Sequence, residues 1–251
     1  MNEVLAIGLQ SMQGDMARLD QVATNLANVL TPGYKRSVAL QAPLGASFAA
    51  HLTNAAEVAE THAAAAPMQH PSDQRAGTLK ATGQPLDVAL MGNGYFEVMT
   101  DTGLAYTRQG NFRLDARGRL VTAQGHAVMG TSGEIQLNIA NPVIATNGTV
   151  SAANAAAGTQ PLAQLKVVEF DTASAMDRLG DGLHAAGSGM KPLSDEEVQL
   201  RQGYLENSNA SSTQEMASLI RAMRHFEGMQ KMVLGYDEML GIAIRKLGET
   251  S

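Results

Sequence analysis

The 251-residue chain has no cysteine and no tryptophan, and only five tyrosines and five phenylalanines. Without Cys, neither a disulfide framework nor a thiolate metal site can form. Alanine, glycine and fourteen methionines are left to fill the interior, which suits thin layers and helix seams better than one thick core. Positive charge is also short: 18 Lys and Arg stand against 24 Asp and Glu, a formal charge of −6. That balance argues against nucleic acid and anionic membrane surfaces, both of which select a basic face. No apolar run approaches the roughly 18–20 residues of a membrane-spanning helix, so membrane insertion is not expected. Nor is a cleaved secretory signal: Glu3 sits where a basic n-region belongs, and Gln10, Gln13, Asp15 and Arg18 interrupt the apolar residues.

Catalytic and ligand sets are missing too. No two of the histidines (His51, His62, His70, His126, His184 and His225) pair at helical spacing. His70 and His184 each have an Asp three residues away, Asp73 and Asp181, but no third ligand, so no metal is expected. No Gly-x-Ser-x-Gly element is present, and Asp195, Glu196 and Glu197 are adjacent, as in a solvated turn. Gly92-Asn93-Gly94 stands between two strand-like runs rather than before a helix, which makes it a turn and not a phosphate loop. The chain therefore reads as a non-enzyme, with no catalytic residue, no metal and no cofactor.

What the chain does have is a matching apolar repeat at each end. Leu5, Leu9, Met12, Met16, Leu19, Ala23, Leu26 and Leu30 follow spacings of four and three. So do Leu219, Met223, Phe226, Val233, Leu240, Ile244 and Leu247, with Gln230 and Asp237 as polar interruptions. Such spacing draws a narrow stripe on a helix, the seam of a coiled coil. A second stripe on the last helix, Met229, Met232, Tyr236, Met239 and Ala243, would let it touch two neighbours; ordinary core filling is the bland alternative. Asn25 and Asn28 sit at the end of the first helix, where they could cap or cross-link neighbouring helices in an assembly; the alternative is that Asn simply tolerates the last helical turn. Pro32-Gly33 reverses the chain, because Pro lacks an amide donor and Gly accepts a left-handed turn. Ser212-Thr213-Gln214-Glu215 reads as a capping box opening the last helix.

Between the helices the period changes to two. Strands are expected at 87–91, 95–99, 105–108, 112–114, 120–122, 135–137, 143–145 and 165–170, with turns every 8–12 residues. The fold class is mixed α and β: long N- and C-terminal coiled-coil-forming helices flank a small all-β, sandwich- or barrel-like middle domain. The expected divisions are a helix at 1–36, an Ala-rich connector at 37–78 with a short helix near 47–60, a β domain at 79–205 and a helix at 206–251. The candidate assembly interface comprises Leu5, Leu9, Met12, Met16, Leu19, Asn25, Leu26 and Asn28, with Leu219, Met223, Phe226, Met229, Val233, Tyr236, Leu240 and Ile244. Neither end is expected to complete its seam without neighbouring subunits.

Several segments resemble one family. Asn25-Leu26-Ala27-Asn28-Val29-Leu30-Thr31-Pro32-Gly33-Tyr34-Lys35-Arg36 is similar to the N-terminal signature of the bacterial flagellar rod and hook proteins. Leu86 to Val98, and Ala105-Tyr106-Thr107-Arg108-Gln109-Gly110-Asn111-Phe112, resemble the opening of their β domain. Gly203-Tyr204-Leu205-Glu206-Asn207-Ser208-Asn209, then Glu215-Met216 and Arg224-His225-Phe226-Glu227, resemble their C-terminal signature. The resemblance implies a structural subunit of the basal-body rod, a hollow, torque-transmitting shaft across the periplasm. Its helices would line the tube and its partners would be other copies of itself, other rod proteins and the type III export apparatus that secretes it without a cleaved signal. Gly125 to Gly130 and Ile144 to Ala152 point to the proximal-rod branch, with a distal-rod or hook-type protein as the alternative. Two rivals stand outside the family: a coiled-coil adaptor forming a closed oligomer, and a periplasmic wall-cleaving enzyme with a helical scaffold.

Overall fold

A computed structural model describes residues 2–38, 72–139, 141–153, 160–171, 176–187 and 189–248. Most of the expected connector, and the short helix expected near 47–60, lie outside the described residues. The chain divides into a helix unit, Met1–Val29 with Ala210–Ser251, and a β unit, Leu30–Asn209. It is thus a mixed α and β protein with a middle β domain.

Two helices make the first unit: α1, Asn2–Ala27, and α2, Ser212–Gly248. The last turn of α1 tightens as Val29 N donates to Leu26 O at 3.3 Å, and Asn28 Nδ2 caps Thr24 O at 2.9 Å. At the start of α2, Glu215 N donates to Ser211 O at 2.9 Å. Ser211 is therefore the cap and Glu215 lies one position deeper than a capping box would place it. The helices run antiparallel. Asp15 Oδ2 meets His225 Nδ1 at 2.5 Å, Asn25 Nδ2 reaches Glu215 Oε2 at 3.5 Å, and Gly8 lies beside Val233.

The β unit is built from short antiparallel strands. Its central hairpin joins Tyr95–Thr100 to Gly103–Thr107, with Phe96 opposite Thr107 and Val98 opposite Ala105. Leu183–His184 extends the sheet on one side; Ala127–Gly130, Leu120–Val121 and Arg113–Leu114 extend it on the other. Hairpins close with the same five-residue turn over 115–119, 122–126 and 145–149. In each, the first residue's amide bonds the fifth residue's carbonyl, and the glycine at position four takes a positive φ: Gly118, Gly125 and Gly148. This repeated type I turn plus left-handed glycine produces the regular turn spacing seen in the sequence.

Alternation along the hairpin gives the sheet two covered faces. Phe96, Val98 and Ala105 join Phe112, Leu120, Val128, Ile135, Leu137, Val150, Leu165, Val167 and Leu200 in the main core. Tyr95 and Tyr106 point the other way, into a smaller cluster with Val168, Phe170 and Met176. The strand expected at 135–137 is a difference. Ala127–Gly130 pairs with Gly133–Glu134 instead, while Ile135 and Leu137 run extended beside residues 118–120, held by Leu120 N to Ile135 O and Leu137 N to Gly118 O. Both side chains still point into the core, so the alternation is real although the ladder is not continuous.

Candidate assembly interface

The helix pair buries one continuous seam. On α2 the shielded positions are Glu215, Leu219, Ala222, Phe226, Met229, Val233, Tyr236 and Leu240; on α1 and the turn that follows it they are Gly8, Met12, Asp15, Leu19, Val22, Leu26 and Val29. Both sets keep spacings of four and three, the spacing at which side chains of two long helices interdigitate. Of the residues singled out from the sequence, Met12, Leu19, Leu26, Leu219, Phe226, Met229, Val233, Tyr236 and Leu240 lie half-buried along this seam. Asn25 is buried against Glu215, and Asn28 is half-buried in its own helix cap. Met229 and Tyr236, read from sequence as part of a second stripe, share this seam. The Leu5 side chain lies outside the described residues.

The rest of the stripe faces away from the seam. Leu9 is 50% exposed, Met16 59%, Met223 50% and Ile244 69%. Met216, Ile220, Met232, Leu234, Met239 and Ile242, none of them in the candidate interface set, are also exposed. The seam positions overlooked were Gly8, Asp15, Val22, Val29, Glu215 and Ala222, which are polar, small or one place off the stripe read from the sequence. Glu215 is fully buried and Asp15 nearly so; their across-seam partners, Asn25 and His225, were the only available signal. Each helix thus has its inner seam satisfied within the chain and an outer apolar surface left open.

In the β unit, four separately read motifs converge on one buried carboxylate. Glu206 Oε1 accepts from Lys35 Nζ at 2.7 Å and from Gly77 N at 2.9 Å; Oε2 accepts from Arg108 Nε at 2.9 Å. Arg108 also donates to Gly94 O at 2.7 Å and Gly92 O at 2.9 Å, and Lys35 to Arg75 O at 2.9 Å. Burial raises the Glu206 carboxyl, but the charges of Arg108 and Lys35 outweigh it and hold its pKa below the ordinary value. Around this node, Arg178 donates to Ser72 Oγ, Tyr34 Oη and Lys35 O, with its guanidinium 5.2 Å from the Tyr34 ring centroid. Asn209 accepts from Arg36 N at 2.6 Å and donates to Asp73 O and Arg75 O.

Pro32 is half-buried and Gly33 fully so, and the reversal they make feeds the node. Gly33 has φ +67°, its amide donates to Glu206 O at 2.7 Å, and a Cβ there would lie 2.5 Å from the Arg108 carbonyl. Only glycine satisfies both the dihedral and the approach. The network clasps the segment leaving α1, the returning segment 72–78 and the strand Tyr204–Glu206 that leads toward α2. Its donors are taken up by carbonyls, hydroxyls and the carboxylate, which leaves a structural clasp rather than a ligand site. Among the described residues no group of three or more His, Asp or Glu stands together as a metal site, and no helix is long and apolar enough to cross a membrane.

Comparison with known proteins accounts for this combination. The family model "Flagellar hook protein FlgE/F/G D1 domain" matches residues 89–152, and "Flagellar basal body rod FlgEFG protein C-terminal" matches 201–246. The flagellar basal-body rod protein FlgG of Bacillus subtilis is 31% identical over 93% of this chain and 94% of its own length. The flagellar basal-body rod proteins FlgF of Escherichia coli and of Salmonella typhimurium are 32% and 34% identical, each covering 88% of both chains. The chain belongs to the flagellar basal-body rod protein family. It is a structural rod subunit of the flagellar basal body, not an enzyme.

Proposed function

We propose that this subunit builds the rod by coiled-coil packing of its terminal helices against those of neighbouring subunits, other copies of itself and sister rod proteins. The single observation that carries this is the open apolar surface on a helix pair whose inner seam is already filled. Met, Leu and Ile side chains half exposed or more, repeated along both helices, mark a surface made for burial. Methionine suits it, because an unbranched thioether adapts to the slightly different contacts met around a helical lattice. In this reading 1–36 and 206–251 form the wall of a hollow, torque-transmitting tube. The β domain spans 79–205, and 37–78 is the connector.

The rod position follows from the family resemblance. The subunit would pass through the flagellar type III export apparatus without a cleaved signal and assemble in the periplasm. Gly125 to Gly130 and Ile144 to Ala152 favour the proximal rod. The relatives named FlgG, about as similar to this chain as those named FlgF, keep the distal rod as the alternative. Leu19→Asp or Leu240→Asp, each placing a charge in the seam, should abolish swimming while near-UV circular dichroism of the β unit stays unchanged. Normal swimming with either substitution would refute the assembly role.

A further inference from the structure

The seam between α1 and α2 poses a choice that its apolar residues cannot make. Asp15 on His225, Asn25 on Glu215, and Gly8 beside Val233 belong to one antiparallel alignment. Counted from those contacts, Leu19 falls opposite Ala222 and Leu26 opposite Glu215. Both stripes repeat every seven residues, so sliding α2 by one repeat, about 10 Å at 1.5 Å per residue, again sets stripe against stripe. Gly8 then exchanges Val233 for Leu240, Met12 exchanges Met229 for Tyr236, and Leu26 exchanges Glu215 for Ala222. Apolar contact alone therefore favours the slid alignment, because Glu215 leaves the seam and an apolar residue takes its place.

What the slide breaks is polar. Asp15 is 4% exposed, Asn25 1% and Glu215 0%. After the slide, Asp15 would face Met232 and Val233 across the seam, neither of which can donate to a carboxylate, and Asn25 would face Ala222. Burying a charge away from its partner costs more than an apolar contact returns. The opposite slide brings Arg18 to Glu215 but leaves Asp15 opposite Ser218, and it carries the last turn of α1 past the first residue of α2.

We infer that Asp15–His225 and Asn25–Glu215 are the register-setting contacts of the helix pair. Among alignments that match stripe to stripe, they select the one in which both buried acids meet a donor. A polar residue at a seam position fixes register in coiled coils at some cost in stability, and here two such contacts act within one chain. The inference stands on the helix unit alone. Its bearing on assembly rests on the rod reading: a slide of about 10 Å would displace the exposed Ile220 and Met223 of α2 along Leu9 and Met16 of α1, and so change the outer apolar face offered to a neighbour.

Because the chain has no cysteine, a disulfide can report the register. Gly8→Cys with Val233→Cys closes in the observed alignment, where a Cβ on Gly8 lies 3.3 Å from Val233 Cγ2; Gly8→Cys with Leu240→Cys closes only after the slide. Both full-length chains are oxidised at high dilution, and disulfides within a single chain are counted by mass spectrometry. The first pair should exceed the second by roughly tenfold or more, the size of effect that leaving a buried charged group unpaired produces. Replacing both acids, Asp15→Leu with Glu215→Leu, should bring the two yields to near parity at unchanged helix content. Asp15→Asn, which keeps an oxygen for His225, should retain the preference. A preference that survives in the Asp15→Leu, Glu215→Leu chain overturns the inference and assigns the register to the short linkers, 30–32 and 210–211. Loss of helix content in that chain also overturns it, since the acids would then support the helices rather than select their alignment. Neither outcome touches the rod reading, which the swimming of Leu19→Asp cells decides.

Discussion

Replacing Glu206 with Ala removes the acceptor on which the clasp converges. Three donors lose their partner: Lys35 Nζ, Arg108 Nε and the Gly77 amide. Lys35 and Arg108 side chains are 1% and 6% exposed, so water cannot take over without opening the site. Removing one partner from a buried charge cluster costs about 3–5 kcal/mol, most of it the penalty of the charges left behind. The total stability of a domain is about 5–15 kcal/mol, so the loss should be plain in urea unfolding followed by tyrosine circular dichroism. Exchange of the Gly77 amide should accelerate as well, because that amide donates to the Glu206 carboxylate. Glu206→Gln, which keeps the shape and part of the hydrogen bonding, should cost less. A loss below about 1 kcal/mol for Glu206→Ala, with Gly77 exchange unchanged, would refute the view that this buried cluster holds segments 30–36 and 72–78 in the β unit.

The remaining predictions are narrower. Gly33→Ala forces a Cβ into a left-handed backbone 2.5 Å from the Arg108 carbonyl; it should cost more than about 1 kcal/mol, read as a lower thermal midpoint. Burial, reinforced by the Arg178 charge, lowers the His184 pKa from 6.5 to about 4. The unfolded state then binds the extra proton more tightly, so stability is full above pH 6.5 and roughly 3 kcal/mol is lost as pH falls toward 4. His184→Gln should flatten the unfolding midpoint over that window, and an unchanged slope would remove His184 from the account. Phe226→Ala, at a half-buried seam position, should lower helix-unit stability by roughly 2 kcal/mol, less than the 3–5 typical of a full core site, and leave the β unit's melting unaffected.

The heptad pattern, the β middle and the turn spacing were legible because each is local: a period of seven, a period of two, and a glycine at a fixed turn position. The direction of each stripe was not. Leu9 and Met12 look alike in sequence, yet Met12 faces α2 while Leu9 faces outward. The residues that decide this are Asp15, Asn25, Glu215 and His225, whose partners stand some 190 to 210 positions away. A polar residue in a seam reads as an interruption until its partner is known. The clasp was hidden for the same reason. Lys35, Arg108 and Glu206 were noticed as parts of separate family signatures, and only the fold shows that those signatures meet at one carboxylate. The misplaced strand at 135–137 shows the converse limit, since alternation reports which side chains point inward, not whether a ladder is continuous.

The central claim is that this chain's helix pair, with its open apolar faces, is wall material for the flagellar rod. Electron cryomicroscopy of basal bodies purified from cells carrying an epitope-labelled copy tests it most directly. The account predicts label on the rod and paired helices of this chain packed against neighbouring helices in the tube wall. A complete rod that lacks the labelled chain, or one in which its Met16 and Met223 faces remain open to solvent, would contradict it.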